Sequence, residues 1–275
     1  MKKKKGITLV LSGGGARGLA HVGVLEVLEE NKILIERIVG TSAGAAIGGI
    51  YCAGKLKEMK EYFIKLKKWD IFKLLFSLPA FGHIFNSQRI DAKLKEFTEN
   101  KKIENLKIPF IAVAFDIIRG KRVILNRGNL FDAVRSSMAI PGYFKPFQIG
   151  ESMLVDGGVA DILPVRVAKK YSKGGKIVAV NVESSIIKGM NNYNFFNMVS
   201  YASYFQSREL SKFEEKQADI VIRPSVRMGT FEFQKASEII NEGRRAAKKA
   251  IPAIKALLED KEPEVPKPQI ITNKT

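Results

Sequence analysis

The sequence predicts an α/β fold in which helices cover both sides of a mostly parallel β-sheet. Strand-like apolar runs alternate along the chain with helix-like periodic segments, and this alternation is typical of parallel strands joined by helices. Several of the strand-like runs, such as PFIAVAF and KIVAVNV, are apolar nearly throughout. Such runs indicate strands that are buried on both faces.

Each element follows from one of these two patterns. Short apolar runs predict strands at residues 7–12, 35–40, 108–115, 121–126, 152–155, 176–182 and 219–222. Helical periodicity predicts helices at residues 17–31, 42–53, 55–68, 88–99, 130–138, 164–171, 193–216 and 234–258. No internal repeat or domain boundary interrupts them, so we expect one domain over residues 1–260. The proline-rich and charged residues 261–275 are predicted to form a flexible tail.

The formal net charge of +18 bears on the class of partner. Of the 46 basic residues, 33 are lysines, and they are scattered along the chain. Proteins that read DNA bases use arginine forks and a recognisable docking motif, and the sequence has neither, so we expect no nucleic acid. Distributed lysines either attract an anionic membrane surface or form a solvated surface, and both interpretations stay open.

The N-terminal residues MKKKKGITLVLSGGG superficially resemble a signal peptide. Their apolar run, Ile7 to Leu11, is shorter than such a peptide requires. No stretch approaches the roughly 18 apolar residues of a membrane span. The single cysteine, Cys52, excludes an internal disulfide and fits a reducing compartment. We therefore expect a cytoplasmic protein with peripheral contact to a membrane.

Large apolar and aromatic side chains crowd residues 69–87, WDIFKLLFSLPAFGHIFNS, between two predicted helices. This segment is interpreted either as a lid or membrane-touching segment beside an active site, or as an ordinary buried connection.

The first glycine motif admits two interpretations. Gly13, Gly15 and Gly18 satisfy G-x-G-x-x-G between a strand and a helix, which is the context of a dinucleotide-binding fold. That fold requires an acidic residue at the end of the second strand. Glu36 lies near the start of that strand, and residues 40–42 at its end are Gly-Thr-Ser. A nucleotide-binding protein is therefore disfavoured.

The second glycine motif, GTSAG at residues 40–44, matches G-x-S-x-G. A serine on a tight strand-to-helix turn has an exposed hydroxyl, and the flanking Gly40 and Gly44 relieve crowding. Ser42 is therefore the candidate nucleophile.

A nucleophilic serine requires a base. The chain has only two histidines, and neither follows residue 83, so the hydrolase order of serine, acid and histidine is disfavoured. His21, on the first helix, is interpreted as structural, and His83 lies within residues 69–87. The alternative base is Asp156 in LVDGG at the end of a short strand, although Asp-Gly also marks simple turns.

Taken together, SGGGARG at 12–18, GTSAG at 40–44 and VDGG at 155–158 resemble the patatin-like phospholipase family of bacterial type. The segment RSSMAIPGYFKPF at 135–147 is similar to a family segment near the active site. The resemblance covers roughly residues 6–225. It implies a three-layer α/β/α sandwich with a mostly parallel central sheet. It also implies hydrolysis of lipid acyl esters by a Ser–Asp dyad.

The resemblance also assigns roles to residues. It implies that Ser42 is the nucleophile and that Asp156 is the proton acceptor. It implies that the oxyanion hole consists of Gly13, Gly14 and Gly15, and that further motif residues are Gly18, Gly40, Gly44, Gly157 and Gly158. Arg17 either holds the loop or meets a lipid phosphate, and Asp161 stands where many relatives have asparagine. No metal or other cofactor is expected.

The function that the sequence predicts is therefore lipid acyl hydrolysis, of the phospholipase A, lysophospholipase or esterase type. The alternative is a catalytically weak lipid-binding or regulatory protein that keeps the fold.

Overall fold

The computed structural model describes residues 5–75, 87–183 and 195–259, which form a central sheet flanked by helices. The strands are β1 (Ile7–Leu11), β2 (Ile35–Thr41), β3 (Phe110–Asp116), β4 (Lys121–Leu125), β5 (Phe147–Ile149), β6 (Ser152–Asp156), β7 (Lys176–Val180) and β8 (Ile220–Ile222). The α-helices are α1 (Ala20–Glu30), α2 (Ala43–Cys52), α3 (Leu56–Lys65), α4 (Lys68–Leu75), α5 (Ser87–Thr98), α6 (Leu130–Ser137), α7 (Val165–Ser172), α8 (Phe195–Glu215) and α9 (Ala236–Leu258).

The centre of the sheet is parallel, as the sequence predicts. Strands β3, β2, β1, β7 and β8 follow one another with parallel pairing. The antiparallel strands β4, β5 and β6 gather at the β3 side. The predicted strand at 121–126 thus forms a hairpin with β3, because only four residues connect the two strands and a parallel crossover needs a dozen or more.

Both faces of the sheet are covered. Along β1, Leu9 and Leu11 belong to a core shared with α1, α2, α6 and α9. The intervening Val10 belongs to a second core with Val165 and Val167 of α7. Since successive side chains of a strand point to opposite faces, helices lie on both sides of the sheet. This arrangement explains why the central strands are apolar nearly throughout.

Strands β2 and β6 share one edge of β3 and meet there end to end. Strand β2 pairs with residues 110–113 of β3, whereas β6 pairs with residues 114–116. Strand β4 pairs with residues 112–116 and so occupies the other edge. Because β2 is parallel and β6 antiparallel to β3, their carboxyl ends converge at Val113 and Ala114. The residues that follow these two ends must therefore lie close together.

The predicted elements agree closely with those observed, with two corrections. Strand β5 is not predicted, since its residues Phe-Gln-Ile form no continuous apolar run, unlike the equally short β8. Residues 69–87 are not simply a stretch between helices, because α4 covers 68–75 and α5 begins at Ser87. His83 and the tail at 261–275 lie outside the described residues.

Candidate active site

Ser42 occupies the turn between β2 and α2. Its backbone adopts φ 54° and ψ −122°, in a region that a residue with a Cβ atom rarely occupies. The side chain of Ser42 is 6% exposed. A strained serine between a strand and a helix is the geometry that the G-x-S-x-G pattern predicts.

Gly44 allows helix α2 to lie directly on the sheet. A Cβ atom at residue 44 would lie 2.2 Å from the carbonyl oxygen of Leu11 at the end of β1. Any side chain there would therefore push the start of α2 away from the sheet, together with Ser42. Gly40 lies in β2, two residues before the serine.

Asp156 is the last residue of β6 and faces the Ser42 turn across the strand junction. Its backbone N–H donates to Ala139 (2.9 Å). The next residue, Gly157, passes so close to β3 that a Cβ atom would lie 2.3 Å from the Val113 carbonyl oxygen. The Oδ1 atom of Asp156 accepts from the Gly158 N–H (2.7 Å), which fixes the carboxyl group.

The Asp156 carboxyl is 5% exposed, and this burial raises its pKa to about 6. The nearby Ser42 hydroxyl and the Gly158 N–H lower the pKa, but burial is the larger effect. Its Oδ2 atom is buried and has no well-formed hydrogen bond within the described residues. Asp156 thus has the raised pKa and the uncommitted oxygen that a base requires.

Ser137 connects the nucleophile turn to β3. Its hydroxyl donates to the Val113 carbonyl oxygen (2.6 Å) and accepts from the Ser42 N–H (2.9 Å). It satisfies two buried backbone groups at the point where β2 and β6 both end. The sequence reasoning did not single out Ser137, although it lies in the segment RSSMAIPGYFKPF.

The three glycines of the expected oxyanion hole differ in their hydrogen bonds. The Gly13 N–H donates to the Ile162 carbonyl oxygen (2.9 Å) and is therefore already used. Gly14 and Gly15 have φ values of 154° and 58°. Their N–H groups have no hydrogen-bond partner within the described ranges, and Gly15 lines the same cavity as Ser42. Within the described residues, the N–H groups of Gly14 and Gly15 are therefore without a partner, whereas that of Gly13 is paired.

Arg17 lies in the short 3₁₀ turn Gly15–Leu19 and is 8% exposed. Its positive charge lowers the pKa of Glu183, although burial raises that pKa overall. This placement favours loop support over contact with a lipid phosphate. The neighbouring Gly18 packs against Ala43, the residue after the predicted nucleophile.

His21 is fully buried, and its Nε2 atom lies 2.9 Å from the Ser12 carbonyl oxygen. Because a carbonyl oxygen only accepts, Nε2 carries the proton in this contact. Burial lowers the pKa of His21 to about 4, so the ring is neutral near pH 7. His21 thus stabilises the strand end that precedes the glycine loop, in agreement with its structural interpretation.

Asp161 contributes to the same region through its backbone. Its carbonyl oxygen accepts from the Thr41 hydroxyl (2.8 Å), next to Ser42. Its buried side chain lies 3.3 Å from the Arg122 Nε atom. Burial raises the pKa of Asp161 to about 7, to which the charge of Glu214 contributes while Arg122 and Arg166 oppose it.

Ser42 opens into a cavity of about 140 Å³. Its walls come from α2, α3, α5 and the loop after α6, and most of the lining residues are apolar. They include Ile47, Phe63, Leu94, Phe97, Phe144 and Phe233. A hydroxyl, a buried carboxyl and two N–H groups thus lie beside an apolar cavity, an arrangement suited to acyl transfer.

Comparisons with known proteins agree with this geometry. The chain is 36% identical over 185 residues to an uncharacterized NTE family protein of Mycobacterium bovis, an alignment that covers 67% of this chain and 49% of the relative. It is 31% identical over 194 residues to neuropathy target esterase sws of Drosophila melanogaster, covering 68% of this chain and 14% of the relative. The chain thus spans about half the length, or less, of these curated relatives.

Among solved structures, VipD from Legionella pneumophila has a similar fold. The TM-score is 0.56 at 15% identity, and the match covers 91% of this chain and 67% of VipD. The family model described as patatin-like phospholipase matches residues 9–169, which is more than half of the sequence. The chain therefore belongs to the patatin-like phospholipase family.

Proposed function

We propose that the protein is a lipid acyl hydrolase that uses Ser42 and Asp156 as a catalytic dyad. The observation that carries this proposal is the convergence of β2 and β6, which brings a strained serine and a buried aspartate together beside an apolar cavity. Membership of the patatin-like phospholipase family supports a lipid hydrolase. The name of the Drosophila relative, an esterase, agrees with ester chemistry.

In the proposed first step, the Ser42 Oγ atom attacks the ester carbonyl carbon while Oδ2 of Asp156 accepts the hydroxyl proton. The carbonyl oxygen becomes an oxyanion, which the Gly14 and Gly15 N–H groups stabilise. Asp156 returns the proton to the leaving alcohol as the carbon–oxygen bond breaks, and the acyl group stays on Ser42. Water, deprotonated by Asp156, then releases the fatty acid and restores the serine.

The substrate class follows from the cavity. An acyl chain gains favourable free energy when its methylene groups leave water, about 0.8 kcal/mol for each group. The cavity offers side chains such as Phe97 and Phe144 beside Ser42. We propose an ester of a long acyl chain, in a phospholipid, lysophospholipid or acylglycerol, and a protein that meets this substrate at a membrane surface.

The alternative is a lipid-binding or regulatory protein with weak catalysis. The buried, strained serine and the raised pKa of Asp156 favour the hydrolase, because a binding protein requires neither. Activity measurements on variants of the dyad distinguish the two.

Replacement of either dyad residue is expected to remove hydrolysis. Ser42→Ala removes the nucleophile and should lower kcat/KM by at least about 10³-fold. Asp156→Asn removes the base and should cost on the order of 10³-fold. The measurement is fatty-acid release from mixed phospholipid vesicles and from a short soluble ester. Equal release by wild type and Ser42→Ala would identify another nucleophile, and no release by wild type from either substrate would favour the lipid-binding alternative.

The pH dependence of hydrolysis should report the Asp156 carboxyl. The pKa of Asp156 is raised to about 6, and only the deprotonated form accepts a proton. The kcat/KM for a neutral ester should therefore rise tenfold per pH unit below about pH 6 and level off above it. A profile that stays flat from pH 4.5 to 8 would contradict the role of Asp156 as the base.

Asp156→Asn should stabilise the fold at neutral pH. The pKa of Asp156 is raised from 3.8 to about 6, so the folded state favours the protonated carboxyl. The protonated carboxyl therefore contributes its full stability to the fold below pH 3.8, and this contribution is lost as the pH rises through 6. The loss amounts to roughly 3 kcal/mol at most. The difference in the free energy of unfolding between Asp156→Asn and wild type should grow from pH 4 to pH 7.5, as urea titrations can show. A difference independent of pH would contradict a buried, titrating carboxyl.

Ser137→Ala should lower kcat more than it raises KM. The substitution leaves the Ser42 N–H and the Val113 carbonyl without their shared partner, and a small displacement of a reacting atom can cost about 10² in rate. Ser136→Ala is the matched control, because that buried hydroxyl donates only within α6, to Asp132 (2.7 Å). If both variants lose the same activity, Ser137 has no special positioning role.

A further inference from the structure

Helix α4 has an exposed aromatic surface beside the candidate active site. Trp69 and Phe72 are 62% and 50% exposed. Their rings stack on each other with centroids 5.3 Å apart and planes tilted by 6°. Two large aromatic side chains that cover each other outside the core present one continuous apolar surface, which is uncommon on a soluble protein unless it meets a partner.

The opposite side of α4 is fixed to the wall of the cavity. Ile71 is 5% exposed and packs in a small core with Phe144, which also lines the cavity that contains Ser42. The Lys67 N–H donates to Asp70 (2.9 Å) at the start of the helix, and Arg89 of α5 donates to the Lys73 carbonyl. The helix therefore holds its aromatic pair in a defined position near the cavity.

Exposed basic residues flank this aromatic pair in the sequence. Lys65, Lys67, Lys68 and Lys73 are all exposed, and Asp70 is the single acidic residue between positions 65 and 73. The Lys73 Nζ atom lies 5.7 Å from the centre of the Trp69 ring. Aromatic rings at the level of the head groups, with lysines around them, are the combination that an anionic bilayer surface attracts.

We propose that α4 is the surface by which this protein docks on anionic membranes, with Trp69 and Phe72 inserted among the lipid head groups. The choice of a lipid surface rests on the proposed function. The inference adds how the protein is oriented on the membrane. Docking by α4 brings the wall of the cavity that contains Ser42 close to the bilayer, because Ile71 on the inner side of the helix packs in one core with Phe144 of that wall.

The sequence contains a built-in reporter for this surface, because Trp69 is its only tryptophan. The experiment uses the full chain with Ser42→Ala, so that no lipid is consumed. Vesicles of phosphatidylcholine with and without phosphatidylglycerol are added while Trp69 emission is recorded. We expect a shift to shorter wavelength with the anionic vesicles, quenching by brominated acyl chains, and weaker binding at high salt.

Two variants that keep Trp69 test the aromatic and the basic part of the surface, each with a matched control. Phe72→Ala should reduce the emission shift, whereas Phe213→Ala should not. Phe213 is a suitable control because it is 64% exposed on α8 and has a lysine Nζ atom 5.7 Å from its ring centre, as Trp69 has.

The charge reversal Lys65→Glu with Lys68→Glu should weaken binding to anionic vesicles roughly tenfold or more. The control is the same reversal at the exposed Lys248 and Lys249 of α9, which gives the protein the same net charge and should weaken binding less.

Three results would overturn the proposal. The first is sedimentation of the protein with vesicles while Trp69 emission stays unchanged, which would assign docking to another surface. The second is the absence of vesicle binding. The third is a blue shift that depends on protein concentration in buffer alone, which would identify a second copy of the chain as the occupant. Hydrolysis of a short soluble ester by the wild-type chain tests the proposed function separately, so the two can fail independently.

Discussion

The candidate site depends on the shared edge of β3, where β2 and β6 meet end to end. Along one edge of a strand every second residue presents its N–H and C=O groups, and β2 and β6 divide this edge of β3 between Val113 and Ala114. Since neither strand continues past this point, the segments that follow β2 and β6 must both turn away from the sheet there. The turn after β2 carries Ser42, and β6 ends at Asp156. Ser137 uses the Val113 carbonyl that the junction leaves unpaired and links it to the Ser42 N–H. Proximity of the two side chains is therefore a consequence of sheet topology.

The site combines features that cost stability. The backbone conformation of Ser42 costs about 1–3 kcal/mol, and burial makes ionisation of the Asp156 carboxyl less favourable by raising its pKa to about 6. The rigid packing around the site holds both groups in place. Gly44 lets α2 lie directly on the sheet, and Gly157 lets the end of β6 lie close to β3. The same burial that destabilises the charged carboxylate makes it a stronger base. In the proposed mechanism, strain and desolvation at this junction serve catalysis, and the dense packing around it keeps the geometry in place.

Much of the fold follows from the sequence because its signals are local. Apolar runs predict the central strands, and helical periodicity predicts α9 within two residues of its observed bounds. The order of strands depends on distant contacts, so the junction of β2 with β6 has no local signal, whereas the hairpin of β4 with β3 follows from the four residues between them. The same reason explains why the sequence does not reveal which N–H groups of the glycine loop are already paired. The Gly13 N–H is taken by Ile162, which is remote in sequence. Ser137 carries no motif of its own, and only its two hydrogen bonds reveal its place.

The central claim is that Ser42 is a nucleophile activated by Asp156, and reaction with a fluorophosphonate tests it most directly. The reagent phosphonylates an activated serine with loss of fluoride, and peptide mass spectrometry identifies the modified residue. We predict modification of Ser42 in the wild-type chain, with a rate that falls at least about 10²-fold in Asp156→Asn and no modification of that position in Ser42→Ala. Modification of a different residue, or an unchanged rate in Asp156→Asn, would contradict the account.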